Sequence, residues 1–186
     1  MIIFVDGIQN VGKTTLVSNC KYRHNRFPFN EYLDFFKLNK DDLKGFQLGK
    51  DLGMLFGLQY SKEDIIFDRG PLSTIFYSLK EERYGENTLS VVLNFFKTLS
   101  RYKKCRFVWI DKSNDKQKNK RNHNDGFDYL NDEEDPKKGE IINTMFSLAK
   151  TAGVRIYKFV NDYSIKLKQN YHNFNDFLEG LINEHY

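Results

Sequence analysis

Of the 186 residues only two are cysteines, three are prolines and one is tryptophan, and alanine occurs twice, at Ala149 and Ala152. Cys20 and Cys105 have no metal-ligand spacing, which fits a reduced, cytoplasmic protein (host cytoplasm if the gene is viral). No apolar run approaches the roughly 20 residues that a bilayer-spanning helix needs. No basic–apolar–small leader opens the chain either, so a soluble protein without a membrane partner is expected. Charge of one sign is also scarce: 29 basic residues face 25 acidic ones, a net +4, too little by itself to argue for nucleic-acid binding. There is no internal repeat, low-complexity tract or linker, so residues 1–186 are expected to form one domain. The four histidines show no ligand spacing.

What is present is a core. Apolar residues make up 40% of the chain and aromatics 16%, with 17 Phe and 11 Tyr, which excludes wholesale disorder. Ile2-Ile3-Phe4-Val5 is a continuous apolar run, as expected of a strand buried on both faces. The pattern predicts a helix over 13–19, a strand near 27–35 with Pro28 close to its start, and a helix over 40–60. In that helix Leu43, Phe46, Leu48, Leu52, Leu55, Phe56 and Leu58 are spaced for one buried face. A strand at 65–67 ends at Asp68-Arg69-Gly70, and Pro71 suits the first turn of a helix reaching 83. Leu89, Val92, Leu93 and Phe96 predict an amphipathic helix over 87–101. A strand at 106–110, a helix over 133–152, a strand over 154–160 and a helix over 173–184 follow. Alternating strands and helices imply parallel βαβ units, hence an α/β three-layer sandwich with a five-stranded parallel sheet flanked by helices.

The chemistry starts at Gly7-Ile8-Gln9-Asn10-Val11-Gly12-Lys13-Thr14, followed by Thr15. It is the G-x-x-x-x-G-K-[ST] phosphate loop, or P-loop, in the context that it needs: buried strand, turn, helix. Backbone N–H groups of such a loop cradle phosphates, Lys13 reaches the β- and γ-phosphates, and the Thr14 hydroxyl ligates Mg²⁺. The reading implies ATP and Mg²⁺ as cofactors, with Gly7, Gln9, Asn10, Val11, Gly12, Lys13, Thr14 and Thr15 binding the nucleotide. No N-K-x-D guanine-reading motif is present. Asp68 and Arg69, at the end of a buried strand, stand at the edge where parallel sheets bind ligands; Asp68 is a second candidate for Mg²⁺, or a cap on the helix after it. Residues 112–124 hold five basic side chains against Asp115 alone. This stretch is expected to be an exposed lid over about 112–128, with Arg121 neutralising charge in the transition state, or a plain solvated loop.

These features resemble the thymidylate kinase and deoxynucleoside kinase group of P-loop kinases. Thymidylate kinases carry an acid before the first loop glycine, where Asp6 stands, and D-R-[YH]-x-x-S-x-x-x-[YF], which Asp68, Arg69, Ser73 and Tyr77 match with Gly70 as the exception. Leu55-Phe56-Gly57-Leu58-Gln59 is similar to their L-F-x-A-x-R helix, whose Phe stacks on the base. The segment ending in Asp125-Gly126-Phe127-Asp128 is similar to their lid. The resemblance spans most of residues 2–160 and implies an acceptor site drawing on Asp6, Arg26, Phe56, Gln59, Tyr60, Arg69, Ser73 and Tyr77. The chain departs from the pattern at Gln9 and Asn10, and at Tyr60, which stands where the family holds an acceptor phosphate with arginine.

Two acceptors remain open. A nucleoside 5′-hydroxyl needs a base, and Glu31 stands at about the position where deoxynucleoside kinases place theirs; it is also read as a solvated strand-end carboxylate. A nucleoside monophosphate needs no base but does need arginines, for which Arg23, Arg26, Arg69 and Arg83 are candidates. The D-R-x-x-S-x-x-x-Y match tilts the expectation narrowly towards a deoxynucleoside monophosphate. Ser73 and Gln59 are candidates to read a base edge, with Phe56 and Tyr77 on its faces, or they simply pack the core. A kinase of nucleic-acid 5′ ends and a catalytically silent nucleotide-binding module are the competing classes. Homodimerisation through helix 87–101 is a further expectation.

Overall fold

The computed structural model describes residues 1–26, 43–113 and 136–184. Five strands, β1 (Ile2–Asp6), β2 (His24–Arg26), β3 (Ile65–Asp68), β4 (Cys105–Lys112) and β5 (Ile156–Asn161), form one sheet of order β2-β3-β1-β4-β5. All pairs are parallel. The helices among the described residues are α1 (Lys13–Ser18), α2 (Leu43–Leu58), α3 (Pro71–Lys80), α4 (Thr88–Leu99), α5 (Lys138–Thr151) and α6 (Leu167–Asn183). The expected α/β class and five-stranded parallel sheet are therefore present.

The central strand explains its own sequence. β1 has neighbours on both edges and is buried throughout, so it reads as an unbroken apolar run rather than an alternation. Phe4 lies in register between Phe67 and Phe107, with ring centroids 5.4 and 5.8 Å away. This row of rings fills the space beside Gly70, where a Cβ would come within 2.5 Å of Phe4 Cδ1. A glycine is thus required where the resembling kinases carry Tyr or His. Pro71 occupies the first turn of α3, as its fixed φ favours.

Several boundaries differ from the sequence expectation. β2 lies at His24–Arg26, before the expected 27–35, and residues 27–42 are outside the described set. Its His-Asn-Arg sequence pairs only with β3 at the sheet edge, where strand formation rests on backbone pairing and not on an apolar pattern. The buried stripe of α4 is Val92, Phe95, Phe96 and Leu99, while Leu89 is exposed. In α2 the inward positions are Gln47, Asp51 and Leu55, four residues apart; Phe56, one position on, is turned out and 60% exposed. α6 begins at Leu167, six residues before the expected start, and buries Asn170, Phe174, Leu178 and Leu181.

Asp51 is the most unusual of these inward residues. Its carboxylate is fully buried, ion-paired to the Lys50 ammonium at 2.8 Å, and burial pushes its pKa up against the lowering influence of Lys50 and Thr74. A carboxyl with a raised pKa in the folded state holds its proton there longer than in the unfolded chain. Its contribution to stability is therefore lost as pH rises above the ordinary carboxylate range. Asp51→Asn removes this loss. Denaturant unfolding is expected to show the variant gaining stability relative to wild type as pH rises above about 4; a pH-independent difference would contradict it.

Candidate active site

The strand order locates the crevice. From β1 the chain leaves towards the β2 edge and from β4 towards the β5 edge, so the gap beyond their carboxyl ends is where a sheet of this kind takes ligands. The loop 7–12 leaves β1 at that gap. Asp68 ends β3 beside it, in register with Val5, and Arg26 ends β2 in register with Asp68.

Asn10 and Gly12 adopt left-handed φ values of 60° and 82°. At Gly12 no side chain fits, because a Cβ would lie 2.5 Å from Asn161 Nδ2 and 3.0 Å from the Tyr163 hydroxyl. Val11 is fully buried, while Gln9, Asn10 and Thr15 are half-buried. Lys13 is buried, and its ammonium donates to the Ile8 carbonyl across the loop. The exposed Thr14 donates its hydroxyl to Asp68 Oδ2 at 2.6 Å.

Asp68 is 2% exposed, and its second oxygen, Oδ1, has no hydrogen-bond partner. An unpaired buried carboxylate oxygen is costly. A hard cation such as Mg²⁺, which takes oxygen ligands and keeps several waters, would satisfy it. The Thr14 hydroxyl and the Asp68 carboxylate thus fit the metal that the loop implies.

Asp6 proves to be a scaffold group and not a free ligand for an acceptor. It is fully buried. Its Oδ1 accepts from the Gly70 N–H (2.8 Å), the Ser73 N–H (3.1 Å) and the Ser73 hydroxyl (2.6 Å), and its Oδ2 from the Leu72 N–H at 3.2 Å. Gly70 has no side chain with which to cap α3, so β1 supplies the cap. Burial raises the Asp6 pKa, the bonds from Ser73 and Gly70 lower it, and the neighbouring charge of Asp51 raises it further. The Ser73 hydroxyl is buried, and its proton is engaged by Asp6.

Arg69 is exposed and in the left-handed region at φ 80°, its N–H bonded to the Val5 carbonyl at 3.0 Å. Phe56, in the last turn of α2, and Tyr60, just beyond it, meet edge to face at 5.8 Å, and Gln59 lies between them in the chain, on the connection to the first residue of β3. Asp51, nearer the start of α2, is the residue of this helix whose charge acts on Asp6. Tyr77 is half-buried, with the Arg83 guanidinium 5.9 Å from its ring centre. Glu31, Arg121 and the segment 114–135 lie outside the described residues, so of the lid only Lys112 and Ser113 are described.

Two residues at this gap carried no sequence signal. Asn161, at the end of β5, donates through Nδ2 to the Val11 carbonyl at 2.9 Å, and the Tyr163 hydroxyl donates to the Asn10 carbonyl at 3.2 Å. Only their place after the fifth strand, opposite the loop, would have pointed to them.

Neither a protein-family model nor a curated protein sequence matches the chain. Solved structures do. The chain is similar to the NadR protein in complex with NR (18% identity, TM-score 0.56), over 96% of this chain and 50% of that one, so it spans half the length of that relative. It is also similar to deoxyadenosine kinase from M. mycoides with bound dCTP (19% identity, TM-score 0.55), over 99% of this chain and 100% of that one. What the chain shares with both is the fold, that of the P-loop kinases.

Proposed function

We propose that this protein is an ATP- and Mg²⁺-dependent kinase that phosphorylates the 5′-hydroxyl of a nucleoside, a deoxynucleoside in the first instance. The observation that carries the reading is the Asp68 carboxylate behind the phosphate loop, one oxygen held by Thr14 and the other buried without a donor. The names of the two similar structures, one a deoxyadenosine kinase and one bound to NR, point the same way.

The arginines support a hydroxyl acceptor over a monophosphate. Arg83 donates to Gln47 and, at 3.1 Å, to Glu81. Arg23 pairs with Glu63 just before the first residue of β2, away from the carboxyl edge. Of the four arginines with which the sequence could hold an acceptor phosphate, only Arg26 and Arg69 belong to that edge. A monophosphate dianion calls for several such donors, whereas a neutral nucleoside calls for a base, and Glu31 follows β2 in the chain.

In this mechanism the loop amides and Lys13 bind the β- and γ-phosphates, Lys13 leaving the Ile8 carbonyl to do so. Thr14 and Asp68 would hold Mg²⁺, which would supply charge neutralisation at the phosphate oxygens. Arg69 bridges the oxygens between donor and acceptor, Arg121 adds positive charge in the transition state, and Glu31 accepts the proton of the attacking hydroxyl. In a coupled ADP-release assay with Mg²⁺-ATP, deoxynucleosides are expected to support turnover and their 5′-monophosphates are not. Turnover with monophosphates alone would instead assign Arg26 and Arg69 to an acceptor phosphate and leave Glu31 without a role.

A further inference from the structure

We infer that Asn161 and Tyr163 are positioning residues for the donor nucleotide: they set the direction of the phosphate-loop amides from outside the loop. This rests on the nucleotide-binding part of the function proposed above.

The argument begins with the peptide plane. In a trans peptide the carbonyl of one residue and the N–H of the next are fixed in one plane and point in opposite directions. Holding the carbonyl therefore aims the following N–H. Asn161 Nδ2 holds the Val11 carbonyl at 2.9 Å, which directs the Gly12 N–H. The Tyr163 hydroxyl holds the Asn10 carbonyl at 3.2 Å, which directs the Val11 N–H. Two further planes of the loop are fixed from within: the one after the clamped pair, where Gly12 O accepts from Leu16 N at 3.0 Å, and the one at the start of the loop, where Ile8 O accepts from the Lys13 ammonium. The Lys13 contact must be given up when the ammonium moves to a phosphate. The contacts from Asn161 and Tyr163 need not be, so these two side chains hold the loop while Lys13 changes partners.

The clamp is itself anchored. Asn161 is 3% exposed, and its Nδ2 lies so close to Gly12 that only a glycine fits there. Asp162, between the two clamp residues, accepts from the Ser113 hydroxyl at the end of β4 (2.7 Å) and from the Ser164 N–H (2.9 Å). Its backbone N–H donates to Asn170 Oδ1 of α6 at 3.2 Å. α6 also reaches the far end of α1, where Lys21 N donates to Asn175 Oδ1 at 2.8 Å. Loop and helix are thus braced at both ends by the β5–α6 unit. Preorganised amides stabilise bound phosphate because they do not have to reorient on binding; a loop freed of the clamp must order its amides at the expense of affinity.

The test uses the intact chain and two variants, Asn161→Ala and the milder Tyr163→Phe, with Mg²⁺-ATP as the probe. Calorimetric titration is expected to show affinity for Mg²⁺-ATP falling about tenfold in Asn161→Ala and about threefold or more in Tyr163→Phe. The ATP KM should rise in step while the acceptor KM stays that of wild type. Should Asn161→Ala not fold, Tyr163→Phe alone decides. A lowered melting temperature with wild-type affinity for Mg²⁺-ATP would reduce both residues to structural ones and overturn the inference. Wild-type protein that takes up no Mg²⁺-ATP would overturn the nucleotide-binding reading and this inference with it; wild-type binding with unaltered variants overturns this inference alone.

Discussion

Lys13→Ala is expected to lower the turnover number by about 10³-fold or more, with the fold intact. Removing one preorganised donor from a developing anion costs roughly 3–4 kcal/mol in the transition state, and an ammonium on the β- and γ-phosphates is such a donor with a full charge. Folding depends far less on it. The side chain is buried against the loop and gives a hydrogen bond to the Ile8 carbonyl, the kind of bond that contributes about 1 kcal/mol net. A shift in melting temperature of about 2–4 °C is the corresponding expectation for a chain of this length. ADP release and thermal unfolding measured on the same preparation separate the two effects. A variant that keeps the wild-type rate would remove Lys13 from the reaction.

The second large effect falls on stability. Asp6→Ala strips the acceptor from three N–H groups and one hydroxyl at the start of α3, all within 3.2 Å of a fully buried carboxylate. Each buried donor left without a partner costs about 1–3 kcal/mol. With partial relaxation the sum is expected to be about 3–5 kcal/mol, read as a lower urea midpoint with unchanged slope. Activity should fall as well, because Asp68 and Arg69 stand immediately before the amides that Asp6 holds. Asp6→Asn keeps one acceptor oxygen and should lie between the two. An alanine variant as stable as wild type would show that Asp6 does not hold the start of α3.

How far these features were legible follows from how local they are. The phosphate loop is a contiguous motif whose strand, turn and helix lie within the first eighteen residues, so its position could be read directly. The parallel sheet was legible because central strands, buried on both faces, announce themselves as apolar runs; β1 and β4 are of that kind. β2 was not, since its His-Asn-Arg sequence pairs only at an edge. The acid at position 6 was visible, but its task was not, because its partners lie more than sixty residues away in the chain. The clamp is further still: Asn161 reaches Val11 across 150 positions, and Tyr163 reaches Asn10 across 153. The buried-face reading of Phe56 fails, while its stacking reading does not, because a periodic apolar run on a helix does not say which of two adjacent faces turns inward; Gln47, Asp51 and Leu55 are buried and Phe56 is turned out. The arginines illustrate the same limit. Sequence spacing offered Arg23 and Arg83 for an acceptor phosphate, and only tertiary packing engages them with Glu63 and Gln47.

The measurement that bears most directly on the proposed reaction is product detection by mass spectrometry after incubation with Mg²⁺-ATP and a mixture of the common deoxynucleosides. The expected result is a nucleoside that has gained one phosphoryl group, formed in amounts equal to the ADP released and absent with Lys13→Ala. ATP that binds but leaves every deoxynucleoside and every 5′-monophosphate unmodified would contradict a phosphotransferase and leave a nucleotide-binding module.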